Sequence, residues 1–262
     1  MSIRTFFATA ALLLPLSGLA GDTPDLDGVL ARYYQARGGL EAIRALESYR
    51  IHGTFTMAGM PMPYTTEIKR PGRLRVEFSA NGITAVQAVD GDSGWQVMPF
   101  MGIPEPAPLD AGTLRELQRQ ADIDGPLVDW QAKGHRVELV GPGEVDGADV
   151  VTLKVGFEEG GELLAHLDAE SYLDLKWQVS TTMNGRPVQI GIEFGDYRQV
   201  GDLVLAHAMT QTIEGLPGAQ TFTVERYELN VPIDDARFAM PVKAAAEEGE
   251  EGGSGRVPGN AK

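Results

Sequence analysis

Few residues in this sequence have the type and spacing to do chemistry. Gly91-Asp92-Ser93-Gly94 matches the opening of a serine-nucleophile segment. A serine nucleophile needs a histidine base and an orienting carboxylate within hydrogen-bond reach. Here Trp95 stands where a glycine would follow, and none of the four histidines lies in the sequence context of such a base. A turn between two strands explains the same four residues. The segment Asp90 to Gly94 also carries two early carboxylates of a calcium loop, without the third ligand or the terminal glutamate. His52, His135, His166 and His207 would have to converge from distant strands to hold zinc, because no close histidine pair exists. The methionines are grouped: Met57, Met60 and Met62 in one Pro-containing stretch, Met98 and Met101 in another. Thioethers suit Cu(I), an adaptable lip around a ligand, or ordinary packing, and the spacing leaves all three open. The expectation is no catalytic residue, no metal and no cofactor.

The stretch from Arg73 to Gly102 organises the chain. Leu74, Val76 and Phe78 alternate with Arg73, Arg75 and Glu77, the period-two pattern of a half-buried strand. Asn81-Gly82 and Asp90-Gly91 accept positive φ at low cost and predict tight hairpins. A third strand carries Trp95 and Val97 towards Met98 and Met101. Further strands are expected over residues 49–57, 64–69, 136–140, 150–157, 163–168, 172–182, on the return after Asn184-Gly185, and over 203–212 and 220–230. Antiparallel sheets of that breadth curl.

Helices are expected in three places. Thr23-Pro24-Asp25 is a helix opening, followed by Leu26, Val29, Leu30 and Tyr33 at helical spacing and closed by Gly38-Gly39. Leu40, Ile43 and Leu46 mark a short second helix, and residues 110–121 a third with Leu114 and Leu117 on one side. The proline-rich stretch between Pro99 and Asp110 predicts a surface loop.

Residues 1–20 have the positive n-region, apolar run and small-x-small site of a secretory signal peptide. Residues 242–262 are rich in Glu and Gly and predict a disordered acidic tail, leaving one domain over 21–241. The chain has no cysteine, so it has neither a disulfide framework nor a lipid-modified cysteine anchor. Its formal charge is −15, one unit more negative once Arg4 leaves with the leader. Such a surface repels nucleic acid and acidic headgroups. A soluble periplasmic protein, neither membrane-spanning nor a nucleic-acid binder, is expected.

Several stretches together resemble the periplasmic outer-membrane lipoprotein-sorting (LolA/LolB-like) family. They are Ala36-Arg37-Gly38-Gly39-Leu40-Glu41-Ala42-Ile43, Ile51-His52-Gly53, the Asp90 to Val97 hairpin, Tyr172-Leu173-Asp174, Phe194 to Arg198 with Val200-Gly201-Asp202, and Tyr227 to Asn230 with Ile233-Asp234-Asp235 and Phe238. The resemblance implies a mainly β fold: a curled antiparallel sheet, or half-open β-barrel, whose concave face is covered by helices. It also implies an apolar cavity near Leu30, Leu40 and Leu117 that accepts lipid or lipoprotein acyl chains. The strand pattern nominates the walls: Phe55 and Met57, Val76 and Phe78, Trp95, Val97, Met98 and Met101, Leu175 and Trp177, Ile190 and Ile192. The expected function is binding or carriage of lipid or acylated lipoprotein. The alternative is a non-catalytic envelope sensor or protein-interaction module on the same scaffold.

Overall fold

Asn81 and Gly82 both adopt positive φ, at 51° and 77°, and join two strands in register from Ala80↔Ile83 to Arg73↔Asp90. This hairpin is the repeating unit of the protein, whose computed structural model describes residues 25–183 and 186–241. The first run of strands is β1 (Ser48–Met57), β2 (Met60–Lys69), β3 (Arg73–Ala80), β4 (Ile83–Asp90), β5 (Ser93–Met98) and β6 (Ile103–Pro108). The second is β7 (Arg136–Val145), β8 (Ala148–Gly156), β9 (Glu162–Asp168), β10 (Asp174–Met183), β11 (Arg186–Val200), β12 (Leu203–Ile213) and β13 (Gln220–Leu229). Within each run consecutive strands pair antiparallel, and β1 pairs with β13, giving one sheet ordered β6-β5-β4-β3-β2-β1-β13-β12-β11-β10-β9-β8-β7. The sheet is curled and not closed, with β6 and β7 at its two edges.

Of the thirteen strands, β6 is the one that the sequence did not lead one to expect, and it corrects the sequence reading. The proline-rich stretch is not a loop: Ile103–Pro108 pairs with β5, Trp95↔Pro108 and Gln96↔Ala107. A proline lacks only a donor, so an edge strand with one unpaired side tolerates it. The Asn184-Gly185 turn, the 1–20 leader and the 242–262 tail lie outside the described residues.

Three α-helices accompany the sheet: α1 (Leu26–Ala36), α2 (Leu40–Arg44) and α3 (Ala111–Gln120). The cap of α1 is Asp25, whose carboxylate accepts from Gly28 N at 2.9 Å. Asp110 caps α3 by accepting from Gly112 N and Thr113 N. Gly38 turns the chain from α1 to α2 at φ 111°, where a Cβ would stand 2.0 Å from the Asp202 carbonyl oxygen. That close approach seats the helical pair: Val204 N donates to the Arg37 carbonyl oxygen, and Arg70 N to that of Glu47.

The two larger hydrophobic cores sit on the concave face. Val29, Leu30 and Tyr33 of α1 pack with Leu153, Val155, Leu163 and Leu167 of the second run. Ile43, Leu117, Ile123 and Val128 pack with Ile68, Leu74 and Val89 of the first. The convex face of β1–β5 is crossed by the chain's last described residues, where Phe238 is fully buried and its carbonyl oxygen accepts from Trp95 Nε1 at 2.8 Å.

Candidate functional site

Inward alternation on β3 presents Leu74, Val76 and Phe78, opposite Ile68, Thr66 and Tyr64 of β2 and Val89, Gln87 and Ala85 of β4. On β10, Trp177 and Val179 pair with Ile192 and Ile190 of β11. These two walls face each other across the curl of the sheet, and α3 lies between them against β3, β4 and β10. Between them lies an open cavity of about 990 Å³. Its apolar lining includes Ile51, Val76, Phe78, Trp177, Phe194 and Phe222. The aromatic rings interlock: Trp177 with Phe194 at 5.1 Å, and Phe55 with Phe78 and Phe222 at 4.9 and 4.8 Å.

A buried polar node joins α1 to this wall. Asp174 accepts from Trp177 Nε1 at 2.7 Å and from the Tyr33 hydroxyl at 3.3 Å, while Arg37 Nη1 donates to Tyr33 Oη at 3.0 Å and to the Asp124 carbonyl at 2.9 Å. Tyr197 Oη donates to the Asp174 carbonyl oxygen at 2.7 Å. Burial holds the Asp174 carboxyl above the ordinary carboxylate range, partly offset by Arg37 and by the Trp177 and Tyr33 hydrogen bonds. Burial likewise pushes the Tyr33 hydroxyl well up. These groups fix the helix on the sheet. Two other lining groups, the Tyr64 hydroxyl and His135 Nδ1, are buried without a hydrogen-bond partner.

Along α3 the lining turns polar. Arg119 donates to Glu159 at 2.8 Å and to the Gly160 carbonyl at 2.7 Å, and its guanidinium lies 4.6 Å above the Phe157 ring. Lys133 pairs with Asp122 at 2.6 Å, although burial still raises the Asp122 carboxyl.

The residues nominated from the sequence divide by face. Val76, Phe78, Trp177 and Ile192 line the cavity. Phe55 and Ile190 are buried in the adjoining cores. Trp95 and Val97 belong to the opposite face, packed with Val86 and Ala88. The alternation was right but its phase was inverted, because Gly94 takes the inward position beside Leu109 and Leu114. Leu175 sits where the β9–β10 register shifts and is absent from the lining. Met57 and Met101 are exposed at hairpin ends, with Met98 half-buried beside the latter, whereas Met62 is buried against Phe55 and Tyr64.

Asp174, Tyr197 and Tyr227 were visible in the sequence as motif residues, but their place on the lining was not, for a common reason. The shift at Leu175, the left-handed Asp196 (φ 50°) and a bulge between β1 and β13 near Gly53 each interrupt the alternation. A residue beyond such an interruption turns inward out of step. Phe194 and Phe222 carried the ordinary alternating signal.

Gly91 to Gly94 is the β4–β5 turn, with Ser93 Oγ donating to the Asp90 carbonyl at 3.1 Å. Among the described residues no three His, Cys, Asp or Glu side chains gather as a metal site. Nor is any helix among them long and apolar enough to cross a membrane.

No family model and no curated protein matches the sequence. Solved structures do match its fold. A DUF1329 family protein from Desulfovibrio piger aligns with a TM-score of 0.58 at 13% identity, over 82% of this chain and 98% of that one. A LolA superfamily protein from Nitrosomonas europaea gives 0.56 at 12%, over 82% and 98%. A candidate outer membrane lipoprotein-sorting protein domain from Vibrio parahaemolyticus gives 0.53 at 12%, over 80% and 94%. The chain therefore has the fold of these proteins, an open antiparallel sheet covered by helices, as its sequence resemblance implied.

Proposed function

We propose that this chain is a periplasmic binding or carrier protein for lipid or lipoprotein acyl chains, held between the curled sheet and its helices. The observation that carries this reading is the cavity of about 990 Å³ with Val76, Phe78, Trp177, Ile192 and Phe194 on its walls. Ligand sites of small molecules run from about 300 to 1,000 Å³ and are mostly apolar. Each buried methylene contributes about 0.8 kcal/mol, so a chain of ten offers about 8 kcal/mol before the costs of association. Reversible burial needs no catalytic group. The unpartnered Tyr64 hydroxyl and His135 Nδ1 on the lining are free to meet a carbonyl or hydroxyl of the guest. The fold neighbours support the carrier reading, and the 1–20 leader supports the compartment.

The test is uptake of a fluorescent fatty acid by the purified protein, with native mass spectrometry for lipid that copurifies. Saturable binding near one chain per protein is expected. Val76→Phe, which fills space between Thr66 and Gln87, is expected to weaken it about tenfold while the protein stays folded. A wild-type protein that takes up no acyl probe overturns the reading.

A further inference from the structure

The hairpin ends of the sheet fall into two sets. The turns at 70–73, 90–93 and 200–203 lie at the end where α1 and α2 are seated. The β1–β2, β3–β4, β5–β6 and β12–β13 ends lie at the other, adjacent in sheet order, since Met57 pairs with both Met60 and Gln220. Exposed apolar side chains are concentrated there. Of the eight large ones among the described residues, six are on these four ends: Met57, Met60, Ile83, Phe100, Met101 and Leu216. Met101 is 72% exposed, Leu216 56% and Phe100 52%.

The charge pattern coincides with this arc. Residues 54–66, 78–89 and 93–104 contain no Asp, Glu, Lys or Arg, and Glu214 is the one such residue in 203–224. The chain as a whole carries 37 acidic residues and a net charge of −15. Eight adjacent strands at about 4.8 Å spacing make an arc on the order of 30 Å long. It offers separated apolar tips on closed turns, a form that suits a fluid apolar layer better than a single shaped pocket. An edge with Glu214 as its one charge, on an acidic body, also selects a neutral surface over an anionic one.

We infer that these four hairpin ends form a docking edge that inserts into the surface of a neutral phospholipid bilayer. It sets the open end of the sheet, away from α1 and α2, against the lipid. The inference goes beyond the carrier reading, since docking does not require a loaded cavity.

The test is flotation of the exported chain, after removal of the apolar 1–20 leader, with vesicles of phosphatidylcholine alone. The wild type is expected to float with the vesicles, insensitively to salt, and less well when the lipid is made anionic. Phe100→Ser, Met101→Ser and Leu216→Ser together are expected to lower the bound fraction at least about tenfold with little change in thermal midpoint. Val140→Ser, an exposed apolar residue outside the arc, is expected to change nothing. Val76→Phe keeps flotation even where it loses acyl uptake, so the two readings fail separately. Wild-type protein that stays in the soluble fraction, binding that appears only with anionic vesicles, or a self-associated form dissolved by the triple substitution while flotation persists would each overturn the inference.

Discussion

Asp174 is buried with Arg37, Tyr33 and Trp177 around it, and its protonation is therefore linked to folding. Burial is the largest influence, and it raises the folded-state pKa above the ordinary value of 3.8. Between 3.8 and that raised value the folded protein holds a proton that the unfolded chain releases. The contribution of this group to stability is thus greatest below 3.8 and declines as pH rises through the window. Asn at this position keeps an oxygen for Trp177 Nε1 but does not titrate. Asp174→Asn is expected to be destabilised at all pH values, because the amide nitrogen that replaces Oδ2 cannot accept from the Tyr33 hydroxyl. The gap to wild type should narrow as pH rises from about 4 to 7. Urea denaturation of both proteins across that range checks it, and a gap that widens would show that the Arg37 attraction outweighs burial.

At the scale of elements, the segment after β13 acts as a strap on the convex face. Its own Ile233 and Phe238 are buried, Lys69 donates to the Ile233 carbonyl at 2.8 Å, and Arg75 to the Arg237 carbonyl at 2.9 Å. Arg237 and Arg50 both reach Glu67, which is only 2% exposed, at 2.5 and 2.8 Å. Trp95 is thus an anchor for the strap and not a wall of the cavity. Phe238→Ala is expected to cost about 3–5 kcal/mol. It should also red-shift the emission of Trp95, whose indole N–H now bonds the Phe238 carbonyl. A large stability loss with unchanged emission would place the damage elsewhere. These elements show what was legible. The Asn81-Gly82 and Asp90-Gly91 turns, α1 and α3 were readable because each is specified within a few consecutive residues. The inverted phase of Trp95 and the out-of-step Tyr197 and Tyr227 were not, since which face is inward depends on partner strands and on a strap more than 130 residues away. Gly53 lies between these cases. Its place in the Ile51-His52-Gly53 motif was visible, but its reason is tertiary: a Cβ there would stand 2.2 Å from the Thr223 carbonyl oxygen and 2.7 Å from the Tyr64 ring.

The whole molecule is a sheet whose ends never pair, so something other than the β ladder must hold its two walls apart and together. Both free edges are poor templates for further strands: β6 carries Pro104, Pro106 and Pro108, and β7 carries Pro142 beside a register shift. The connection between these edges is α3 and the turns after it, which cross the concave side. Leu117 anchors α3 to the core of the first run, and Gln118 donates to the Gly91 carbonyl at 3.0 Å. Arg119 ties it to the second run through Glu159, the Gly160 carbonyl and the Phe157 ring. The helix is therefore a strut between two independently packed cores, and its hold on the second run rests largely on one side chain. Arg119→Ala removes that hold but leaves Leu117 in place. The Arg119 side chain is only 14% exposed and donates to Glu159 and the Gly160 carbonyl, so the unfolding free energy should fall by about 2 kcal/mol. Local opening is more sensitive, because α3 is amphipathic with one buried leucine and few contacts on the far wall. Amide exchange along residues 111–120 is expected to accelerate about tenfold or more, with no matching change in β8 and β9. On the carrier reading, release of a bound acyl probe should quicken by a similar factor with a smaller change in affinity, as gating of a cavity by a hinged cover requires. Unaltered exchange in α3 would mean that the Leu117 side holds the helix alone and that the two walls are coupled through the β1–β13 seam of the sheet.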